Sequence, residues 1–335
     1  MHANASELLA ATPTEWRTSL GKTVEAMRLT FRRLAHRWHP DHNADPQAGE
    51  VFARLQAARL AWKEAARPKV QTFSTDRGTR LEMRYATAYA HELGDTYIGM
   101  RTVLNAYSLS EADLAARAAR ADQLWRFAND AMRAQIRPLL PHAVTVHTTL
   151  DRVVHVSSRD PALIRLADLM AHLGRLDPQH VAWIGSGLWN LACYLEYSQI
   201  GHQAIGMDTV WVDPANHRVA LLGGWAYAGR LGERWAALPG RTLGLASSAM
   251  LKRKVQDATL DHTLIRALLR ELLGDASGMH KAVSTPDALA AFTRQPAGGT
   301  AVAQYTAWKQ ALVRSFGPPK FVEMALPPSH VYQEN

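Results

Sequence analysis

The run Phe31-Arg32-Arg33-Leu34-Ala35-His36-Arg37-Trp38-His39-Pro40-Asp41-His42-Asn43 constrains this chain more than any other. Val24, Met27, Phe31, Leu34 and Trp38 recur at spacings of three and four, which puts them on one face of a helix. Arg28, Arg32 and His36 stack on another face, with Arg33 and Arg37 beside them. Pro40 stops that helix, because the residue before a proline is driven out of helical conformation. Asp45-Pro46 then reads as the start of a second helix, an N-cap aspartate followed by a proline at the first helical position. Its Phe52, Leu55, Ala58 and Trp62 can pack on the first stripe. The pattern predicts two antiparallel helices with an exposed His39-Pro40-Asp41 corner between them.

From about Thr23 to Ala66, the order of basic helix, His-Pro-Asp and Phe-x-x-Leu-x-x-Ala resembles a J-domain. Domains of that family dock on a seventy-kilodalton heat-shock chaperone and stimulate its ATP hydrolysis. The resemblance implies that chaperone as partner, His39, Pro40 and Asp41 as the signalling residues, and Arg32, Arg33 and Arg37 as the docking surface. A basic helix face drawn towards an acidic partner gives a fast, salt-sensitive encounter, in keeping with this role. Two departures stand out. The segment before Thr23 lacks the family's Tyr-x-x-Leu-Gly-Val opening, and Arg59 stands where the second helix has a tyrosine.

A chain of 335 residues, 47% hydrophobic and 20% charged, can bury a large core and divide into two domains. The net charge of +8 would suit nucleic acid or a membrane surface. Half of it, however, falls within residues 1–70, where 11 Lys and Arg face 7 Asp and Glu. No basic run interleaved with aromatics occurs elsewhere, so charge alone makes only a weak case for nucleic acid, and binding to it through the basic first helix ranks last among the readings because that face is short. The single cysteine, Cys193, excludes an intramolecular disulfide and fits a reducing cytoplasm. No stretch is long and apolar enough for a membrane span or a signal peptide, so a cytoplasmic protein is expected.

Residues 1–68 are therefore expected as a helical J-domain-like unit and 69–79 as a polar linker. From Leu81 to Leu109, short runs rich in Tyr, Thr, Val and Ile have hairpin composition. Ala112 to Arg133 reads as one long helix, followed by strands at Ala143–Thr149 and Arg152–Ser157. Beyond Pro161 the texture is helical. Val181, Ile184, Leu188, Leu191 and Leu195 form one stripe behind an Asp177-Pro178 cap, and Leu260, Leu264, Leu268 and Leu272 form another. An apolar hairpin, Thr209–Val212 and Val219–Leu222, lies between them, and Gly240 to Gly244 reads as loop.

A strand-rich lobe with one helix, then a helical lobe holding a hairpin, resembles the order of a protein kinase. Leu176-Asp177-Pro178-Gln179-His180, Gly201-His202-Gln203-Ala204-Ile205-Gly206-Met207-Asp208-Thr209 and Val219-Ala220-Leu221-Leu222-Gly223-Gly224-Trp225 look like kinase-like domains fused to J-domains in bacteria and their phages. The resemblance implies an α+β chain: a J-domain, then a bilobal kinase-like fold over 80–327, with a small lobe to about 158, a large lobe from 159 and a tail over 328–335.

Phosphoryl transfer depends on positioning and charge neutralisation. By this resemblance, Ala204 replaces the catalytic-loop aspartate, Thr209 a metal-holding asparagine and Gly223 the aspartate of the second metal motif. Asn105 stands for the phosphate-holding lysine and Ala118 for its glutamate partner. The phosphate-covering loop keeps Gly94 and Gly99, with Thr96 in place of its middle glycine. The expectation is an inactive, pseudokinase domain that binds a client or regulatory protein, with no cofactor or metal. Its rival is an atypical phosphotransferase using ATP and magnesium.

His202 is expected to pack the loop. Asp261 is either the buried aspartate that anchors that loop through backbone amides or an exposed acid in a helix's first turn. Asp208 reads as a solvated loop acid, with a lone surviving metal ligand as the alternative. A metal at His36, His39 and His42 is disfavoured because Pro40 breaks the helix between them.

Overall fold

The computed structural model describes residues 4–21, 24–65, 69–75, 78–142, 144–279, 282 and 284–332. Thr23 and Ala66, the ends of the J-domain-like stretch, Pro68, the expected end of the first unit, and Ala143, the expected start of a strand, lie outside the described residues. So does the side chain of Val24. The chain is mixed in class, with helices at its N-terminus and a β-rich middle, compatible with α+β. It divides into two compact units, residues 1–71 with 84–86 and 332–335, and residues 72–83 with 87–331.

The first unit contains α1 (Ala5–Ala10), α2 (Pro13–Ser19), α3 (Val24–Trp38) and α4 (Ala48–Ala65). Asn4 and Glu7 cap α1 reciprocally, and Thr12 and Glu15 do the same for α2. Two short helices thus occupy the place of the missing opening motif. The core joins Leu20 with Met27 and Trp38 of α3 and with Val51, Leu55, Ala58 and Trp62 of α4. Trp62 Nε1 donates to the Gly21 carbonyl at 2.9 Å, tying α4 to the loop before α3. The second helix begins at Ala48 rather than Pro46. Asp45 accepts the Gln47 N–H at 2.9 Å within a turn that occupies residues 46 and 47.

The stretch expected as a linker contains strand β1 (Lys69–Ser74), which pairs with β2 (Arg80–Tyr85). In the second unit, β3 (Thr87–His91), β4 (Gly94–Ile98), β5 (Thr102–Ser108), β6 (Val144–Thr148) and β7 (Arg152–Ser158) make an antiparallel sheet. Its order is β3-β4-β5-β7-β6. Leu104, Ala106 and Val154 bury one face under Phe73 and Met83. The residues at alternate positions point to the other face.

Between β5 and β6 the expected long helix is broken into α5 (Ala112–Ala119) and α6 (Asp130–Ile136). Tertiary donors claim the carbonyls that a continuous helix would use. Arg230 donates to Gln123 and Leu124, and Ser198 Oγ to Arg126. Asn129 then caps α6.

The remainder comprises β8 (Ile164–Arg165), α7 (Leu166–Leu173), α8 (Pro178–Tyr197), β9 (Ile200–Gly201), β10 (Val210–Asp213), β11 (Arg218–Leu221) and β12 (Gly229–Arg230). After these come α9 (Gly240–Leu245), α10 (Ser248–Arg253), α11 (Ala258–Leu272), α12 (Asp287–Arg294), α13 (Ala301–Phe316) and α14 (Pro328–Val331). The expected stripes of α8 and α11 are buried. Gly185 lets α13 approach α8 closely, since a Cβ there would lie 2.4 Å from the Trp308 ring. The expected loop at Gly240 is instead α9, whose first N–H is accepted by Glu92 at 2.7 Å.

Candidate functional site

At the corner of the first unit, α3 ends at Trp38 and the chain turns through His39, Pro40 and Asp41. The Asp41 N–H donates to His39 Nδ1 at 3.2 Å, and the Asp41 carboxylate is 3.6 Å from the same nitrogen. Asn43 Nδ2 donates to the Arg37 carbonyl at 2.9 Å and so satisfies an orphan acceptor at the helix end. His39 packs edge-on against Phe52 of α4, with ring centroids 5.0 Å apart, while Asp41 remains 76% exposed. Arg32, Arg33 and Arg37 are exposed. Arg28, Phe31, Arg32, His36, His39 and Arg59 line a shallow groove of about 580 Å³. The Arg59 guanidinium lies 4.4 Å from the Phe31 ring centre, so the residue that departs from the J-domain pattern adds a cation–π contact between α3 and α4.

A cleft of about 550 Å³ opens in the second unit, between the large sheet and the segment 204–227. Asn105, Ala118, Ala204, Asp208, Thr209 and Gly223 all line it. Thr209 Oγ1 donates to the Ala204 carbonyl at 2.7 Å and accepts the Gly206 N–H at 3.0 Å, so this hydroxyl closes the loop on itself. Gly223 packs against Thr209, and its carbonyl accepts from His202 Nε2 at 3.0 Å. Burial holds the His202 ring neutral, down to about 3, against the help of that bond. Asp261 is buried. Its carboxylate accepts the N–H groups of His202 and Gln203 at 2.7 and 2.6 Å. Burial nevertheless pushes its carboxyl up to about 7, outweighing the two amide donors.

Asp208 is 64% exposed, and it is not alone. Arg165 Nη1 donates to it at 2.8 Å while the same guanidinium grips Asp168 through two bonds, at 2.6 and 3.0 Å. The Tyr89 ring stacks on the guanidinium, 3.6 Å from its carbon. Among the described residues, no three His, Cys, Asp or Glu side chains are grouped as a metal site would need. Asn105 Oδ1 accepts from Thr96 Oγ1 at 2.7 Å. Ala118 packs in an apolar cluster with Ala204, Ala226 and Tyr227.

A 50-residue stretch is 52% identical to Chaperone protein DnaJ 1 of Aromatoleum aromaticum, covering 14% of this chain and 14% of that chaperone. That likeness supports a J-domain. No family model matches the chain, and the chain spans only a small part of the length of the curated relative it matches. No helix among the described residues is long and apolar enough to cross a membrane.

The exposed arginines beside the His39-Pro40-Asp41 corner follow from the helical spacing of the sequence. Sequence patterning does not single out Tyr89 in the cleft or Arg165 against its ring, and it offers His155 only as a strand histidine without metal-ligand partners at the right spacing. The spacing of Arg165 and Asp168 would have signalled a local ion pair on a helix start. Nothing in the sequence pointed to Asp208, 43 residues further on, as the second acceptor.

Proposed function

We propose that the protein is a cytoplasmic co-chaperone-like adaptor. Its J-domain engages a seventy-kilodalton heat-shock chaperone, and its second unit is an inactive kinase-like domain that binds a client or regulatory protein. The observation that carries the reading is the His39-Pro40-Asp41 corner, its Pro40 and Asp41 exposed and flanked by an arginine face, in a chain that shares a DnaJ-like segment. Like charges along α3 would steer it towards an acidic surface without committing much binding energy.

For the second unit, support comes from the sheet order β3-β4-β5-β7-β6, with α5 entering between β5 and β6 and a helical part following. That order fits a small lobe followed by a large one. The inactive reading rests on Ala204, Thr209 and Gly223. None can accept a proton from a substrate hydroxyl or hold magnesium through a carboxylate.

The test is ATP turnover by a purified seventy-kilodalton chaperone with the full chain added. Stimulation is expected, and His39→Gln should abolish it. Absence of stimulation, or an equal effect of the variant, rejects the reading.

A further inference from the structure

The large sheet presents one polar row to the cleft. Backbone register sets Thr96 opposite Asn105 and Asn105 opposite His155, so these three side chains share one face of adjacent strands. All three line the cleft. Thr96 occupies one lone pair of Asn105 Oδ1, which leaves the Asn105 amide nitrogen as the donor of the row. His155 is 2% exposed, and its Nε2 has no hydrogen-bond partner among the described residues. Buried polar atoms are rarely left so. Tyr107 packs against the His155 ring, with centroids 4.7 Å apart, and fixes its plane.

The charges around this row are already matched. Asp208 is held by Arg165, Arg241 by Glu271 at 2.7 Å, and Glu92 by the Gly240 N–H. Among the described lining residues, no cation remains for a phosphate, and carboxylates outnumber the arginine on the wall. A polyanion entering here would lose hydration without gaining a counter-charge. A neutral ring with one acceptor and one N–H loses little and satisfies an orphan nitrogen. The volume of about 550 Å³ is that of a small-molecule site.

We propose that this cleft binds an uncharged, nitrogen-containing aromatic heterocycle, seated against Asn105 and the free Nε2 of His155. The inference does not rest on chaperone engagement, which is read by ATP turnover and involves the other unit.

The experiment titrates the full chain at pH 7.5 with benzimidazole, neutral at that pH, and separately with magnesium-ATP. Binding is followed by saturation-transfer NMR and by the ¹⁵N resonances of the histidine rings. Saturable benzimidazole binding is expected, with a shift of the His155 nitrogens and about tenfold weaker affinity in His155→Phe, the worth of one hydrogen bond. Magnesium-ATP should bind more weakly than benzimidazole. Unsaturable binding, unmoved His155 resonances, undiminished affinity in a folded His155→Phe, or tighter binding of magnesium-ATP would each overturn the proposal. The resonance shift is read on the native chain, so it decides the matter even if the variant does not fold.

Discussion

The Asp261 carboxylate accepts the backbone N–H of Gln203 at 2.6 Å, and Gln203 sits at φ 62°, a left-handed conformation that a glutamine rarely adopts. The bond therefore holds a strained turn in place, at the start of the loop that carries Ala204 and Thr209. Thr242 Oγ1 closes the other side by donating to the Gln203 carbonyl at 2.7 Å.

That relationship sets a pH dependence. The folded Asp261 carboxyl, pushed up to about 7, lies above its unfolded value of about 3.9. The native state then keeps a proton that the unfolded chain releases, so this group's contribution is full below about pH 4 and is lost as pH rises through about 7. His202 runs the opposite way. Its ring is held down to about 3, below an unfolded value of about 6.5, so its contribution is full above that pH and is lost as pH falls. The stability of Asp261→Asn relative to the native protein should therefore rise between pH 4 and 7, by at most about 1.4 kcal/mol per unit. Urea denaturation across that range checks it, and a constant difference would contradict the assignment.

Removing the Asp261 side chain is a different matter. Asp261→Ala leaves two buried N–H groups without an acceptor, which costs on the order of 1–3 kcal/mol for each group. A lowered urea midpoint in the second unit's transition, larger than that of Asp261→Asn, is the expected result.

Gly224 has φ 80°, and a Cβ on it would come within 2.7 Å of His202 Cε1 and 2.9 Å of Ala204 Cβ. Gly224→Ala combines backbone strain with a clash against a buried ring. It should destabilise by about 1–3 kcal/mol, whereas Gly244→Ala, with open space around it, should not. Calorimetry of the two variants side by side makes the comparison.

In the first unit, Arg59 lies over Phe31. Arg59→Ala should destabilise that unit by about 0.5–1 kcal/mol, and Arg59→Tyr, which keeps a ring packed against Phe31, should recover most of it. Thermal melts read by circular dichroism would separate these from Arg33→Ala, whose exposed side chain has no such contact to lose.

The proposed chaperone stimulation should weaken steeply as salt is raised, because exposed charges more than about 10 Å apart are screened at 0.1 M. Replacing Arg32, Arg33 and Arg37 together by glutamine should flatten that dependence. An unchanged salt slope would mean that the arginine face takes no part in docking.

What the sequence by itself determined was local and periodic. The α3 stripe, the proline stop at Pro40, and the buried faces of α8 and α11 follow from apolar spacing and from proline's missing N–H, which need no partner elsewhere. The tertiary structure decided whatever depends on groups far apart in the chain. The long helix expected over Ala112 to Arg133 is broken because Arg230 and Ser198 take its carbonyls. Asp208 is exposed, as a loop acid should be, but its tie to Arg165 is a tertiary one. The row from Thr96 to His155 exists only because strand register aligns residues from β4, β5 and β7. Periodicity tells which face of an element is buried; it carries no information about which distant side chain that face will meet.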